Sequence, residues 1–201
     1  MKLYYAKGAC SLASRIIINE LELPCDYESV DLRTKQTESG KDYLAINAKG
    51  AVPALLTDDN QILTENAIIQ QYLAESVHAV QLLPAVGDFK RYRVLEWLNY
   101  IATELHKSFG PLFNPNLPQD VKDQFFKPLL IAKFSYIDKH LLSKCIAGDT
   151  FTLPDAYMFV MLNWAVFFNF DFTKWPHLSN YFIELKKRDS IQKSLQQEGL
   201  K

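Results

Sequence analysis

Val52-Pro53-Ala54-Leu55-Leu56-Thr57-Asp58-Asp59-Asn60-Gln61-Ile62-Leu63-Thr64-Glu65-Asn66 is the stretch that decides the fold. Residues 52–57 and 61–64 are short β-prone runs around an Asp-Asp-Asn turn, the pattern of a hairpin. From 65 to 75 the sequence reads as a helix. Upstream, Lys2-Leu3-Tyr4-Tyr5 is another β-prone run. Residues 11–23 read as a helix with Leu12, Ile16 and Leu23 on an apolar stripe, closed by Pro24. Residues 25–32 alternate apolar and polar, as a half-buried strand does. Residues 34–40 are expected to be polar loop, and 42–46 one or two helical turns. The order β-α-β-(α)-β-β-α joins a parallel βαβ half to a hairpin and helix, an α/β pattern.

Beyond this half the texture changes. Residues 77–87 hold Pro84 and Gly87 without a clear period and are expected to link a domain at 1–80 to one at 87–201. No strand is expected past the linker. A long amphipathic helix is expected over 88–109, stopped by Gly110-Pro111, and a second over 120–142, bent near Pro128. Thr152-Leu153-Pro154-Asp155 opens a third with the spacing of a capping box, Asp taking the Glu position. Trp175-Pro176 begins a fourth, running to about residue 188. The expected class is α/β followed by all-α.

Composition narrows the function. The 201 residues include only 7 Gly, and neither G-x-G-x-x-G nor G-x-x-x-x-G-K-[ST] occurs, so no glycine-loop phosphate cradle is present. With 22 Lys+Arg against 23 Asp+Glu, the chain lacks the footprint of a general nucleic-acid binder. Lys7 and Gly8 interrupt the N-terminal apolar run, so no signal peptide is expected. The longest apolar segment, 156–168, contains Asn163 and is too short for a bilayer; it reads as a buried core helix. Cys10, Cys25 and Cys145 are odd in number and lack C-x-x-C spacing. Free thiols in a cytoplasmic protein are expected. No H-x-x-H or H-E-x-x-H pattern suggests zinc, and G-x-S-x-G is absent.

Several residues could carry chemistry. Gly8-Ala9-Cys10-Ser11 joins the first strand to the first helix, where the helix dipole favours a thiolate. Cys10 is otherwise a small buried hydrophobe. Ser11 could donate to that thiolate or cap the helix. A proline opening a strand is ordinarily trans; were Val52–Pro53 cis, the Val52 main chain could pair with an extended peptide. At the next helix start, free N–H groups and the Asn66 amide suit a carboxylate and Glu65 suits an ammonium, unless Thr64 simply caps the helix. Asn99, Thr103 and His106 recur at i, i+4 and i+7 and fall within about 60° on an α-helix. Glu104 points elsewhere, toward a possible partner chain.

Taken together these segments resemble a glutathione S-transferase, most closely the bacterial beta class. The resemblance runs from Lys2-Leu3-Tyr4-Tyr5 and Gly8-Ala9-Cys10-Ser11-Leu12 through Val30-Asp31-Leu32-Arg33-Thr34-Lys35. It continues over Tyr43-Leu44-Ala45-Ile46-Asn47-Ala48-Lys49-Gly50, Val52-Pro53-Ala54-Leu55 and Leu63-Thr64-Glu65. Residues 104–107 and Thr152-Leu153-Pro154-Asp155-Ala156-Tyr157 complete it. It implies a thioredoxin-like N-terminal domain, an all-helical C-terminal domain, a homodimer, and glutathione as co-substrate in the cleft between the domains. Cys10 would lie beside the glutathione sulfur and Lys35 would face the glycyl end. Val52 would pair with the cysteinyl main chain next to a cis-Pro53. Glu65 and Asn66 would hold the γ-glutamyl group. Asn99, Thr103, Glu104, Leu105 and His106 would complete the site, some from the neighbouring subunit. Asn66 and Thr103 depart from the serines expected there, though both keep a donor.

The activity implied is transfer of glutathione to apolar electrophiles, a detoxification, without a metal. Cys10 and His106 are the catalytic candidates. Tyr5 and Ser11 are of the types that usually activate the thiol in the family. Phe109, Phe113, Trp164 and Phe168 could line the electrophile pocket or belong to the core. One rival is a thiol-disulfide oxidoreductase working through a Cys10–glutathione mixed disulfide; the other is a non-enzymatic binding protein of the same fold.

Overall fold

The structure is a computed structural model, and it describes residues 1–200. Two compact units emerge among them: residues 1–84 with 188–200, and residues 85–187.

The first unit is built on a five-stranded sheet in the order β3-β2-β1-β4-β5. The strands are β1 (Lys2–Tyr5), β2 (Asp26–Asp31), β3 (Gln36–Thr37), β4 (Ala54–Leu56) and β5 (Ile62–Thr64). β1 runs parallel to β2, pairing Leu3 with Tyr27, and antiparallel to β4, pairing Leu3 with Leu55. The hairpin pairs Ala54 with Thr64. Helix α1 (Ser11–Glu20) makes the crossover and α2 (Asn66–Ser76) follows the hairpin. This is the thioredoxin-like arrangement the resemblance implies.

Strand alternation explains the core. Leu3 and Leu55 are fully buried, as are Leu12, Ile16, Ile69 and Leu73 from the two helices. Tyr4 points to the opposite face and joins a second cluster with Val30, Tyr43, Val52 and Ala54. With both faces covered, β1 carries no polar alternation. The strand β3 lies inside the stretch expected to be loop, and a 3₁₀ turn occupies Tyr43–Ala45.

The second unit is helical: α3 (Phe89–Tyr100), α4 (Lys107–Phe113), α5 (Gln119–Val121), α6 (Lys127–His140), α7 (Leu153–Phe167) and α8 (Pro176–Lys186). Residues Ile101–His106, between α3 and α4, form a π-helical turn, as do Lys122–Phe126 between α5 and α6. The helix expected to stop at Gly110 continues to Phe113 with Pro111 inside it. Buried Phe109 and Leu112 anchor that last turn. Pro128 follows the second π turn, where its missing N–H removes a helical bond. Helix α7 is the core helix expected from 156–168, with both faces buried. Its capping box forms. Asp155 accepts from the Thr152 N–H at 2.7 Å, the Thr152 hydroxyl at 2.8 Å, the Ile146 N–H at 2.9 Å and the Tyr181 hydroxyl at 2.6 Å. Burial pushes the Asp155 carboxyl up from its ordinary value, and these donors pull the other way.

One boundary differs from expectation. The all-helical domain does not extend to residue 201, because the last helix, α9 (Asp189–Gln197), belongs to the first unit. Its Ile191 and Leu195 are buried, and Arg188 and Ser190 both donate to Glu20 at the end of α1.

Candidate functional site

Residue 10 sits at the N-cap of α1 in helical conformation. Gly8, at φ +68°, turns the chain from β1 toward it. Cys10 is 7% exposed, and its thiol donates to the Val52 carbonyl at 3.2 Å. The group that donates is the protonated thiol. A thiolate would turn from that carbonyl toward the helix N-terminus, whose dipole favours negative charge. No disulfide joins the three cysteines. Burial pushes the Cys25 thiol up to about 11, which leaves it protonated and unreactive at neutral pH.

Ser11 takes neither of its expected roles. Its hydroxyl is buried and exchanges bonds with the Ala6 N–H and carbonyl, both at 3.3 Å, bracing the turn before Cys10. The Val52–Pro53 bond is cis. Residue 52 precedes β4, so its main chain lies outside the sheet ladder. Lys35 is half-buried, and its ammonium donates to the Gly50 carbonyl at 2.7 Å. A side chain at Gly50 would meet Leu44 at 3.1 Å and Lys35 Cε at 3.3 Å, and φ there is +60°. Only glycine fits.

Position 65 holds a feature that the sequence did not signal. Glu65 has φ +70° and ψ 112°, a conformation costly for any side-chain-bearing residue. It is exposed, and Lys49 Nζ donates to its carboxylate at 2.6 Å and to Thr64 Oγ1 at 3.0 Å. Glu65 therefore holds an ammonium, and Thr64 does not cap the helix. The Asn66 and Ala67 N–H groups that open α2 precede its first intrahelical acceptor and suit a carboxylate, whereas the Ile68 N–H bonds the Glu65 carbonyl at 2.9 Å. The Asn66 side chain does not add to them. It is buried, donates to the Cys10 carbonyl at 2.9 Å and accepts from Ser14 at 2.6 Å.

In the second unit the expected stripe divides. Asn99 and Thr103 are exposed, and the Thr103 hydroxyl bonds back to the Asn99 carbonyl at 3.0 Å. Glu104 is exposed and paired with Lys133, whereas the Leu105 side chain is fully buried. His106 is half-buried, with Nδ1 2.6 Å from the Tyr157 hydroxyl and its ring edge-on to Trp164 at 5.2 Å. The π turn over Ile101–His106 breaks the α-helical angle that grouped these residues. Such turns recur at functional sites. Among the aromatics, Phe109 and Trp164 are buried, but Phe113 is 46% exposed and stands 4.9 Å from Trp164 and 4.8 Å from Phe168. Among the described residues no group of three or more His, Cys, Asp or Glu could hold a metal ion. None of their helices is long and apolar enough to cross a membrane.

Known proteins share this arrangement. Residues 9–76 match the family model for the N-terminal domain of glutathione S-transferases, and residues 100–189 that for the C-terminal domain. Over 202 residues the chain is 45% identical to glutathione S-transferase GstA of Escherichia coli O157:H7, covering both chains completely. A bacterial beta-class glutathione S-transferase of Sphingomonas chungbukensis superposes with a TM-score of 0.95 at 37% identity, again over the whole of both chains. A sphingomonad glutathione S-transferase complexed with glutathione gives a TM-score of 0.95 at 36% identity and equal coverage. From the thiol at the head of α1 to the two family domains, these findings agree: the chain belongs to the glutathione S-transferase family, and its solved likenesses include bacterial beta-class members.

Proposed function

We propose that this protein joins the thiol of glutathione to apolar electrophiles. The observation that carries this reading is the Cys10 thiol at the N-terminus of α1, 3.2 Å from the carbonyl of Val52, outside the ladder of β4. An extended cysteinyl peptide pairing with the Val52 main chain brings its own sulfur to the same helix N-terminus. There the dipole and the Tyr5 hydroxyl stabilise the glutathione thiolate, the nucleophile of the reaction. Lys35 takes the glycyl carboxylate. Glu65 takes the γ-glutamyl ammonium, displacing Lys49, and the main-chain N–H groups at the start of α2 take the carboxylate.

On the second unit, the exposed Asn99, Thr103 and Glu104 offer polar groups to glutathione, and fully buried Leu105 supports them from beneath. His106, held by Tyr157, is the candidate acid–base group. The half-exposed ring of Phe113 supplies apolar surface for the electrophile. The working form is a cytoplasmic homodimer serving detoxification.

Retention on immobilised glutathione, followed by assay with chlorodinitrobenzene and other electrophiles, tests the reading. Binding with transfer is expected; failure to bind would overturn the site. Cys10→Ala is expected to lower glutathione-dependent disulfide reduction at least about 100-fold while conjugation falls less than about tenfold. Loss of both together would make Cys10 part of the conjugation step.

A further inference from the structure

We propose that Lys49 is an internal competitor of glutathione: its ammonium stands on Glu65, where the γ-glutamyl ammonium would bind, and so limits the affinity for ligands that carry an ammonium there. Lys49 Nζ donates to Glu65 Oε1 at 2.6 Å and to Thr64 Oγ1 at 3.0 Å. A primary ammonium shared by a carboxylate and a hydroxyl presents the same donors as the ammonium of a γ-glutamyl group. The Lys49 and Glu65 side chains are 56% and 66% exposed, so a ligand reaches the pair from solvent. The residue after Lys49 matches it at the other charged group. Lys35, assigned above to the glycyl carboxylate, donates to the Gly50 carbonyl at 2.7 Å. Two adjacent residues of one turn thus satisfy both of the charged side chains that would hold the ends of the tripeptide.

The turn itself is fixed at its base, so only the Lys49 side chain has to move. Asn47 is buried; its Oδ1 accepts the Lys49 N–H at 3.1 Å, its Nδ2 donates to the Ala51 carbonyl at 2.8 Å, and its own carbonyl accepts the Gly50 N–H at 2.8 Å. The Tyr43 hydroxyl donates to the same Ala51 carbonyl at 2.8 Å. Binding then exchanges one ammonium for another at Glu65, and Lys49 swings into water on its flexible stem. A ligand with both carboxylates but no ammonium has nothing to offer Glu65 and leaves the pair closed. The pair therefore subtracts from the affinity for glutathione and not from that for its deaminated analogue, which narrows the preference between them. The conjugate keeps the γ-glutamyl group, so the return of Lys49 to Glu65 also favours its departure.

This inference rests on the glutathione reading of the site, with Glu65 at the γ-glutamyl end. It is tested by calorimetric binding of glutathione and of the analogue in which a glutaryl group replaces γ-glutamyl, leaving the carboxylate and removing the amine. Lys49→Met is expected to lower Kd for glutathione about threefold, in keeping with an exposed ion pair. The ratio of the two constants, analogue over glutathione, is expected to rise by about the same factor or more. Lys49→Arg keeps the pair and is expected to match the parent. In a Glu65→Gln background, Lys49→Met is expected to move Kd for glutathione by less than about 1.5-fold. A higher Kd for glutathione in Lys49→Met would make Lys49 a ligand contact and overturn the proposal. An unchanged ratio would overturn it as well, as would an equal gain in the Glu65→Gln background. The substituted side chain is exposed, and an unchanged melting temperature confirms that the variants fold as the parent does. Failure of the glutathione reading would show differently, as absence of glutathione binding in the parent itself.

Discussion

Glu65 holds its backbone at φ +70°, where a glycine would be at ease, and keeps a carboxylate there instead. Its exposed pair with Lys49 repays little, since such pairs contribute about 0–1 kcal/mol. Under the proposed function the strained side chain is retained for the γ-glutamyl ammonium it would bind. Glu65→Gly is expected to leave the fold as stable or up to about 1 kcal/mol more stable in urea titration, while KM for glutathione rises about tenfold or more. Asn66 is the reverse case. Because its amide satisfies both Ser14 and the Cys10 carbonyl inside the unit, Asn66→Ala is expected to cost about 2–3 kcal/mol of stability. Sequence reading offered Asn66 as a ligand donor because its position at a helix start was visible. The inward turn of its side chain was not, since that depends on Ser14, far away in the chain.

Elements set by local chemistry were legible, and those set by distant packing were not. The hairpin of β4 and β5 follows from β-prone runs and an Asp-Asp-Asn turn, all within a few residues of one another. The capping box of α7 is equally local. By contrast, β3 is only two residues long and polar, and it exists because Val30 and Asp31 of β2 offer it an edge. The π turn over Ile101–His106 has no proline within it to announce it, and it redirects His106 toward Tyr157. The edge of the sheet also carries a pH dependence. Glu28 of β2 accepts from Ser39 at 2.5 Å and from Lys2 at 2.9 Å. The Ser39 hydroxyl and then Lys2 hold its carboxyl down at about 2, against 4.5 ordinarily. A carboxyl lowered by folding stabilises the fold above its unfolded pKa, and that contribution is lost as pH falls through the folded one. On the order of 3 kcal/mol should disappear between pH ~4.5 and ~2. In Glu28→Gln this part of the acid sensitivity is expected to be absent from urea titrations across that range.

For the whole molecule, the sequence offers a linker over residues 77–87 from Pro84, Gly87 and the change from mixed to helical texture. It does not announce the return of the chain after Lys187. The signal for that return was divided between two segments: an apolar pair, Ile191 and Leu195, near the C-terminus, and Arg15 in a helix that otherwise reads as core. A buried arginine needs a partner, and nothing near it in sequence supplies one; the partner is Glu198, 183 residues on. The first unit is thus closed by the last residues of the chain. Removing residues 188–201 uncovers α1, leaves Arg15 buried without its carboxylate and strips the Gly8 turn of its acceptor. Loss of one partner of a buried pair alone costs about 3–5 kcal/mol, and the uncovered apolar surface adds to it. Hydrogen exchange on the truncated chain is expected to show protection lost in β1, α1 and β4, with α7 and α8 still protected. Uniform loss across all helices would mean that the two units unfold as one, and unchanged protection in α1 would mean that α9 is not part of the first unit's stability at all.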